Sequence, residues 1–118
     1  HARNEAEKIK INNAFQNNTW TKLLLYRPKD CVLLKYNDKT EEEIHLLLQP
    51  TSEGVIEHVL NEFTYTVLLQ FEETSRVDLA VTNILKTFEI EPEQQQEVKK
   101  AVINQIREAM KSGILFLG

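Results

Sequence analysis

Glycine is scarce in this sequence, with three residues among 118. A loop that cradles a phosphate group needs glycines close together, because only a residue without a side chain lets the backbone amides reach the ligand. None of the three glycines lies in a loop of that kind. The sequence therefore argues against a nucleotide-binding fold of the phosphate-loop type.

Cysteine occurs once, as Cys31, so the chain cannot form an internal disulfide. A disulfide framework is excluded, and the compartment we predict is the reducing cytoplasm. The longest apolar run covers only a few residues, which is too short to cross a bilayer, and no secretory signal peptide is recognisable. We predict no contact with a membrane.

Side chains that could converge on a metal ion or a reacting atom are also missing. His45 and His58 stand in strand-like runs without the HxH, HExxH or CxxC spacing of zinc sites. The sequence suggests no base that would activate Cys31, and the acidic run at 41–43 lacks the spacing of a calcium loop. We therefore predict no catalytic residue, no metal and no cofactor, with Cys31 as a small core residue.

Residues 1–19 form a polar, asparagine-rich segment whose few apolar members are Ile9, Ile11 and Phe15. So little apolar surface does not offset the entropy that is lost when a chain becomes ordered. We predict a polar N-terminal arm, frayed or linking two domains, in which a short helix can form. One domain over residues 20–118 follows.

Four apolar runs, separated by turn residues, predict the β part of the fold. They span residues 23–26, 31–36, 44–48 and 55–59. The turn chemistry lies at residues 27–30, 37–40 and 49–54. Because the last run joins a turn to a helix, we expect it to lie at the edge of a sheet.

The first two of three predicted helices follow the strands. Asn61 is a suitable N-cap for a helix over residues 62–71. Ser75 and Asp78 form a loose capping box for the second helix, whose apolar stripe recurs at helical spacing over residues 77–88.

The third predicted helix opens at Pro92, runs to about Lys111 and stops at Gly113. An apolar tail at 114–117 follows and needs to be covered. The fold class that we predict is α+β, in which a β-hairpin or three-stranded antiparallel sheet precedes three helices.

The third helix carries an apolar arc of roughly 200° on a helical wheel. Either the helix is deeply embedded, with the apolar tail covering its second side, or part of the arc lines a groove for a partner. Lys99 lies within the arc, and Lys100, Arg107 and Lys111 lie at its outer edge. A groove here would therefore have a basic rim.

An edge strand beside such a groove is an arrangement that can dock a peptide. The unpaired N–H and C=O groups of the edge accept an added strand, and the groove selects its side chains.

Five segments from Leu60 onward recur in the order and spacing of a known family. They are Leu60-Asn61-Glu62, the acidic turn at 71–75, Val77 to Leu85, Phe88-Glu89-Ile90-Glu91-Pro92-Glu93-Gln94 and Gly113-Ile114-Leu115. From Ile44 on, the chain resembles the PqqD-like family, whose domains bind leader peptides of ribosomally made, modified peptides. The chain lacks the Asp-Gly pair that is usual between the first two helices of that family.

The resemblance implies a winged-helix-like fold without catalysis. Such a domain holds the leader segment of a precursor peptide as an added strand and presents it to a modifying enzyme, fused or in complex. The peptide-binding residues that the resemblance implies are Val55, Ile56, Glu57, His58, Val59, Val98, Lys99, Val102, Gln105, Ile106, Arg107 and Met110.

Two other functions stay open. A winged-helix DNA-binding domain shares this topology, but the net charge is −4 and the last helix carries four basic and three acidic residues. That balance disfavours a phosphate-facing helix. The other alternative is a docking domain that holds two parts of a larger enzyme together. We thus expect a leader peptide and a modifying enzyme as partners, and a homodimer through the sheet edge as a further arrangement.

Overall fold

The computed structural model describes residues 5–16 and 19–118, and within them the chain forms an α+β fold. Its helices are α1 (Glu5–Gln16), α2 (Glu62–Leu69), α3 (Val77–Thr87) and α4 (Gln95–Lys111). Its strands are β1 (Leu24–Tyr26), β2 (Val32–Asn37), β3 (Glu43–Thr51), β4 (Gly54–Leu60), β5 (Ser75–Arg76) and β6 (Phe116–Leu117). The predicted antiparallel sheet followed by three helices is confirmed, and a further helix precedes it.

The larger sheet is an antiparallel meander in the order β2-β3-β4. Three of the predicted apolar runs form it. The turn between β2 and β3 depends on Asp38, whose carboxylate accepts hydrogen bonds of 2.6 to 3.0 Å from the Thr40 hydroxyl and from the amides of Thr40 and Glu42. These donors, the hydroxyl above all, lower the pKa of the Asp38 carboxyl below its ordinary value of 3.8.

Strand alternation divides the side chains of the meander between two faces. Leu33, Leu47 and Leu60 share the face that packs on the helical layer, and Leu47 is fully buried there. The helices α2 and α4 cover this inner face. The opposite face of the sheet points away from the helices.

The apolar run at 23–26 belongs to a second, smaller sheet, in which β1 lies between β5 and β6. Arg27 follows β1 and is buried. Its backbone amide donates to the carbonyl of Phe71 at 2.8 Å, and its guanidinium donates to the carbonyl of Cys31. Arg27 thus connects the turn between β1 and β2 to the chain that follows α2.

Local sequence signals set the ends of α2 and α4. Asn61 caps α2 as predicted, because its side-chain oxygen accepts a hydrogen bond of 2.7 Å from the amide three residues on. Pro92 opens a short 3-10 turn that leads into α4. Gly113 ends α4 at a φ of 72°, and the amide of Ile114 then donates to the carbonyl of Ala109 at 2.9 Å. This is a Schellman end, in which only glycine is unstrained.

The capping box predicted at Ser75 is wrong. Ser75 lies in β5, where it pairs with Leu25, and α3 begins at Val77 without a side-chain cap. Strand pairing holds Ser75 one position too early for its hydroxyl to cap the helix. Asp78 instead forms an ion pair of 2.7 Å with Arg76.

The tail after Gly113 returns along the core. Residues 114–116 are buried, Leu115 completely, and β6 pairs with β1. The tail turns back along the end of α4 beside the buried Met110, and the amides of Ile114 and Leu115 both donate to the carbonyl of Ala109. Of the two alternatives for the apolar arc, a deeply embedded helix and a groove for a partner, the embedded helix therefore describes most of the arc.

The N-terminal segment, for which the sequence favours a frayed or linking arm, is helical over α1. Ile11 and Ala14 are buried in the core, and Phe15 packs against it. These positions fall on one face of a helix, so a sparse apolar content suffices to dock it. Residues 1–4, 17 and 18 of the predicted arm lie outside the described residues.

Leu115→Ala is expected to lower the free energy of unfolding by about 2–5 kcal/mol, because it leaves a cavity at a fully buried position. Urea denaturation measures the loss. The control is Leu79→Ala on the exposed side of α3, which should change the free energy by about 0.5 kcal/mol or less. Equal effects of the two substitutions would show that the tail does not complete the core.

Candidate functional site

The outer edge of β4 is the first element of the site. Pro50 has no amide hydrogen, so its pair with Val55 cannot be a mutually hydrogen-bonded one. Since bonded and non-bonded pairs alternate along an antiparallel ladder, the pairs of Glu57 and Val59 with β3 are also non-bonded ones. The backbone N–H and C=O groups of Val55, Glu57 and Val59 therefore point away from β3. No strand of the described residues pairs there.

Apolar side chains flank this edge. Val55 is 66% exposed and Val59 is 76% exposed, and Glu57 lies between them on the same, outer face of the sheet. Ile56 is also exposed but belongs to the inner face. Four of the five predicted strand residues of the peptide site are thus accessible at an unpaired sheet edge.

His58, the fifth, points inward and is held by a chain of hydrogen bonds. Its Nε2 lies 2.9 Å from Oε1 of Gln49, and Nε2 of Gln49 donates to the carbonyl of Ser112 at 2.9 Å. An amide oxygen only accepts, so Nε2 of His58 carries the hydrogen. This chain connects β4, through β3, to the end of α4.

A narrow cleft separates β4 from α4. Its volume is about 120 Å³. Its lining includes His58, Leu60, Thr64, Gln105, Glu108 and Ser112. Gln105 Oε1 accepts a hydrogen bond of 3.2 Å from the Thr64 hydroxyl, which closes part of the cleft. Of the predicted helix residues, Gln105 is the one that faces this cleft.

Three of the predicted peptide-binding residues on α4 are core residues. Val102 and Ile106 are fully buried and Met110 is 3% exposed, and none of the three side chains lines the cleft beside β4. The prediction is corrected because α4 is embedded: α2 and α3 pack against it, and the tail turns back beside Met110. Val98 and Lys99, one turn earlier, are half-buried.

The expected basic rim lies on the wrong side of α4 for a peptide at β4. The guanidinium of Arg107 lies over the ring of Phe15 from α1, at 5.0 Å from its centroid. Lys100 and Arg107 both line a cavity beside Trp20, away from β4. The sequence placed these cations at the edge of the arc but could not say which neighbour covers that edge.

The outer face of the meander is an apolar surface that the sequence analysis missed. Its side chains come from alternate positions of all three strands: Val32, Leu34, Tyr36, Ile44, Leu46, Leu48, Pro50, Val55, Glu57 and Val59. One of them is charged. The sequence contained this signal. The runs at 31–36 and 44–48 have apolar residues at both odd and even positions, and this pattern predicts strands that are buried on both faces.

The described residues hold no cluster of three or more His, Cys, Asp or Glu side chains that could bind a metal ion. Cys31 is buried, and burial first, with the nearby Asp30 carboxylate second, raises the pKa of its thiol. His45 is buried against the ring of Tyr65 and within 2.9 Å of Glu43. Within the described part of the chain, no helix is both long and apolar enough to cross a membrane.

Cys31 is expected to react with iodoacetamide much more slowly in the folded protein than in urea, since its thiol is both buried and hard to ionise. Mass spectrometry at pH 8 follows the reaction. Equal rates in the two states would show that the thiol is accessible and would reopen a nucleophilic role for Cys31.

Comparison with known proteins gives no relative. The chain matches no protein-family model. It matches no curated protein. It matches no solved structure. The resemblance to the PqqD-like family therefore stays a prediction from the order of its motifs.

Proposed function

We propose that this protein is a non-catalytic peptide-binding domain, and that its peptide adds as a strand to the free edge of β4. The observation that carries the proposal is the row of outward backbone groups at Val55, Glu57 and Val59, which no strand of the described residues pairs. A peptide backbone satisfies these groups without any rearrangement of the domain.

The side chains of an added strand would alternate between the two faces of the sheet. One set would lie beside the exposed Val55 and Val59 and remove their apolar surface from water. The other set would point into the cleft beside His58 and Gln105. Since that cleft holds about 120 Å³, it admits a single small side chain rather than a row of large ones.

The charge expected of the peptide follows from the same geometry. Glu57 lies on the edge and Glu108 lines the cleft, whereas Arg107 faces α1. An acidic peptide gains nothing at this edge, because charges of like sign repel. We therefore propose a neutral or basic segment with apolar residues at alternate positions, and the acidic leader that a basic rim would favour is not part of this proposal.

The source of the peptide is proposed from the sequence resemblance. The PqqD-like pattern suggests the leader segment of a precursor peptide, held for a modifying enzyme that is fused to the domain or in complex with it. The winged-helix-like character of the fold and a cytoplasmic location belong to the same proposal. A short precursor gene and a modifying-enzyme gene beside this one would support it.

A second copy of the chain is the competing occupant of the edge. Two β4 strands can pair across a two-fold axis, and the apolar outer faces would then run continuously across both sheets. Sedimentation equilibrium of the peptide-free protein distinguishes the two cases. A monomer would leave the edge free for a peptide. A dimer that Glu57→Pro dissociates would show that a second copy of the chain occupies the edge.

Glu57→Pro is the sharpest test of strand addition. Proline removes the outward N–H of residue 57 and does not touch the bonds between β4 and β3. For peptides selected on the wild-type protein from a random display library, we expect Kd to rise about tenfold or more, as the loss of a backbone hydrogen bond implies. Fluorescence anisotropy with labelled peptides measures Kd.

The matched control is Glu57→Ala, which removes the same carboxylate but keeps the donor and should leave Kd within about threefold. Thermal melting of both variants shows whether the domain remains folded. Selected peptides that bind Glu57→Pro as tightly as the wild type, or that shift amide signals only in α1, would overturn the proposal.

A further inference from the structure

A cavity lies between α1, the second half of α4 and the start of the tail. Its volume is about 590 Å³. Its lining comprises Lys8, Ile11, Asn12, Phe15, Arg107, Met110, Lys111, Ser112, Gly113 and Phe116. This size lies within the range of sites that hold small organic molecules. We call it the α1–α4 cleft.

The α1–α4 cleft has an apolar floor and a cationic rim. Ile11, Met110 and Phe116 are buried members of the floor, and they offer a chain-like ligand a surface without charge. Lys8, Arg107 and Lys111 form the rim, and the lining contains no carboxylate. In a protein whose net charge is −4, such a local excess of positive charge selects for anions.

The rim cations are available for a ligand. Lys8 pairs with Glu5 at 3.6 Å and Lys111 pairs with Glu108 at 3.7 Å, and in both pairs each side chain is more than half exposed. Exposed pairs of this kind stabilise little, so an incoming anion can replace them. The guanidinium of Arg107 lies over the ring of Phe15 in a cation–π contact, and a ring contact of this kind leaves its N–H groups able to donate to an acceptor.

We propose that the α1–α4 cleft binds an amphipathic carboxylate, with an unbranched apolar chain on the floor and the carboxylate at Arg107. The floor buries the chain, and the guanidinium holds the carboxylate in a charge-assisted, two-pronged contact. A second cavity of about 290 Å³ shares Phe15 and Arg107 with the α1–α4 cleft, and Trp20 and Ile103 add apolar surface to its lining.

This site is separate from the edge of β4. The cleft beside β4 takes Gln105 and Glu108 from α4, whereas the α1–α4 cleft takes Arg107, Met110 and Lys111, and Ser112 at the end of the helix lines both. The ligand class also differs, because an anion suits the α1–α4 cleft and a neutral or basic peptide suits the edge. Either proposal can therefore fail without the other.

The test compares three probes with the same eight-carbon chain. Octanoate, 1-octanol and octyltrimethylammonium are each titrated into ¹⁵N-labelled protein below their micelle concentrations. We expect octanoate to give saturable amide shifts around Phe15, Arg107 and Gly113. Octanol should bind at least about tenfold more weakly, since it lacks the charge-assisted contact, and the cation should bind more weakly still.

Two variants of equal charge change locate the anion. Arg107→Gln should weaken octanoate at least about tenfold and leave octanol unchanged, because it removes the guanidinium and keeps a polar side chain of similar length. Lys86→Gln, on the exposed last turn of α3, removes one positive charge outside the lining and should leave both affinities unchanged. Unaltered amide spectra elsewhere in each variant show that the fold is retained.

Three results would overturn the proposal: no saturable octanoate shifts, equal affinity for octanoate and octyltrimethylammonium, or equal octanoate affinity of the wild type and Arg107→Gln. Octanoate shifts confined to β4 would overturn it too, because they would move the anion to the sheet edge.

Discussion

The apolar arc of α4 is the constraint on which the rest of the structure depends. Val102, Ile106 and Met110 recur at four-residue spacing and form one buried stripe, and the half-buried Ile103 and Gln105 widen it on either side. A single packed layer covers about half of a helix surface, so an arc of roughly 200° needs cover from two sides. The helices α2 and α3 pack against α4, and the inner face of the meander lies beside it on one side. The tail after Gly113 supplies the other, together with α1.

Two clefts remain along α4, one beside β4 and one beside α1, and we call them seams. The side chains that line the two seams differ in charge. Gln105 and Glu108 fall toward β4, and Arg107 and Lys111 fall toward α1. The seam at β4 is narrow because hydrogen bonds from Gln49 and Thr64 draw the sheet and helices together. The seam at α1 holds the larger cavity, and two buried side chains of α1 attach this helix to the core.

Sequence patterns predicted those parts of the fold that local chemistry decides. The strand runs, the cap at Asn61 and the stop at Gly113 depend on residues within a few positions, and the structure places them as expected. Long-range pairing decided what the patterns missed. Ser75 is a strand residue because Leu25 pairs with it, and Arg107 faces α1 because Phe15 lies there. Neither contact leaves a signal in the sequence near the residue that it affects.

The outer face of the meander carries apolar surface in two places, at the edge formed by β4 and over β2, and the two places need separate explanations. An added strand would lie one strand spacing, about 4.8 Å, beyond β4 and would cover Val55 and Val59. Tyr36 and Leu34 lie on β2, two further spacings away, and are still exposed by about half and two fifths. Strand addition therefore accounts for the valines at the edge and not for the apolar surface over β2. The two ends of the outer face must be distinguished in any binding experiment, because a ligand that protects Tyr36 is not a strand on β4.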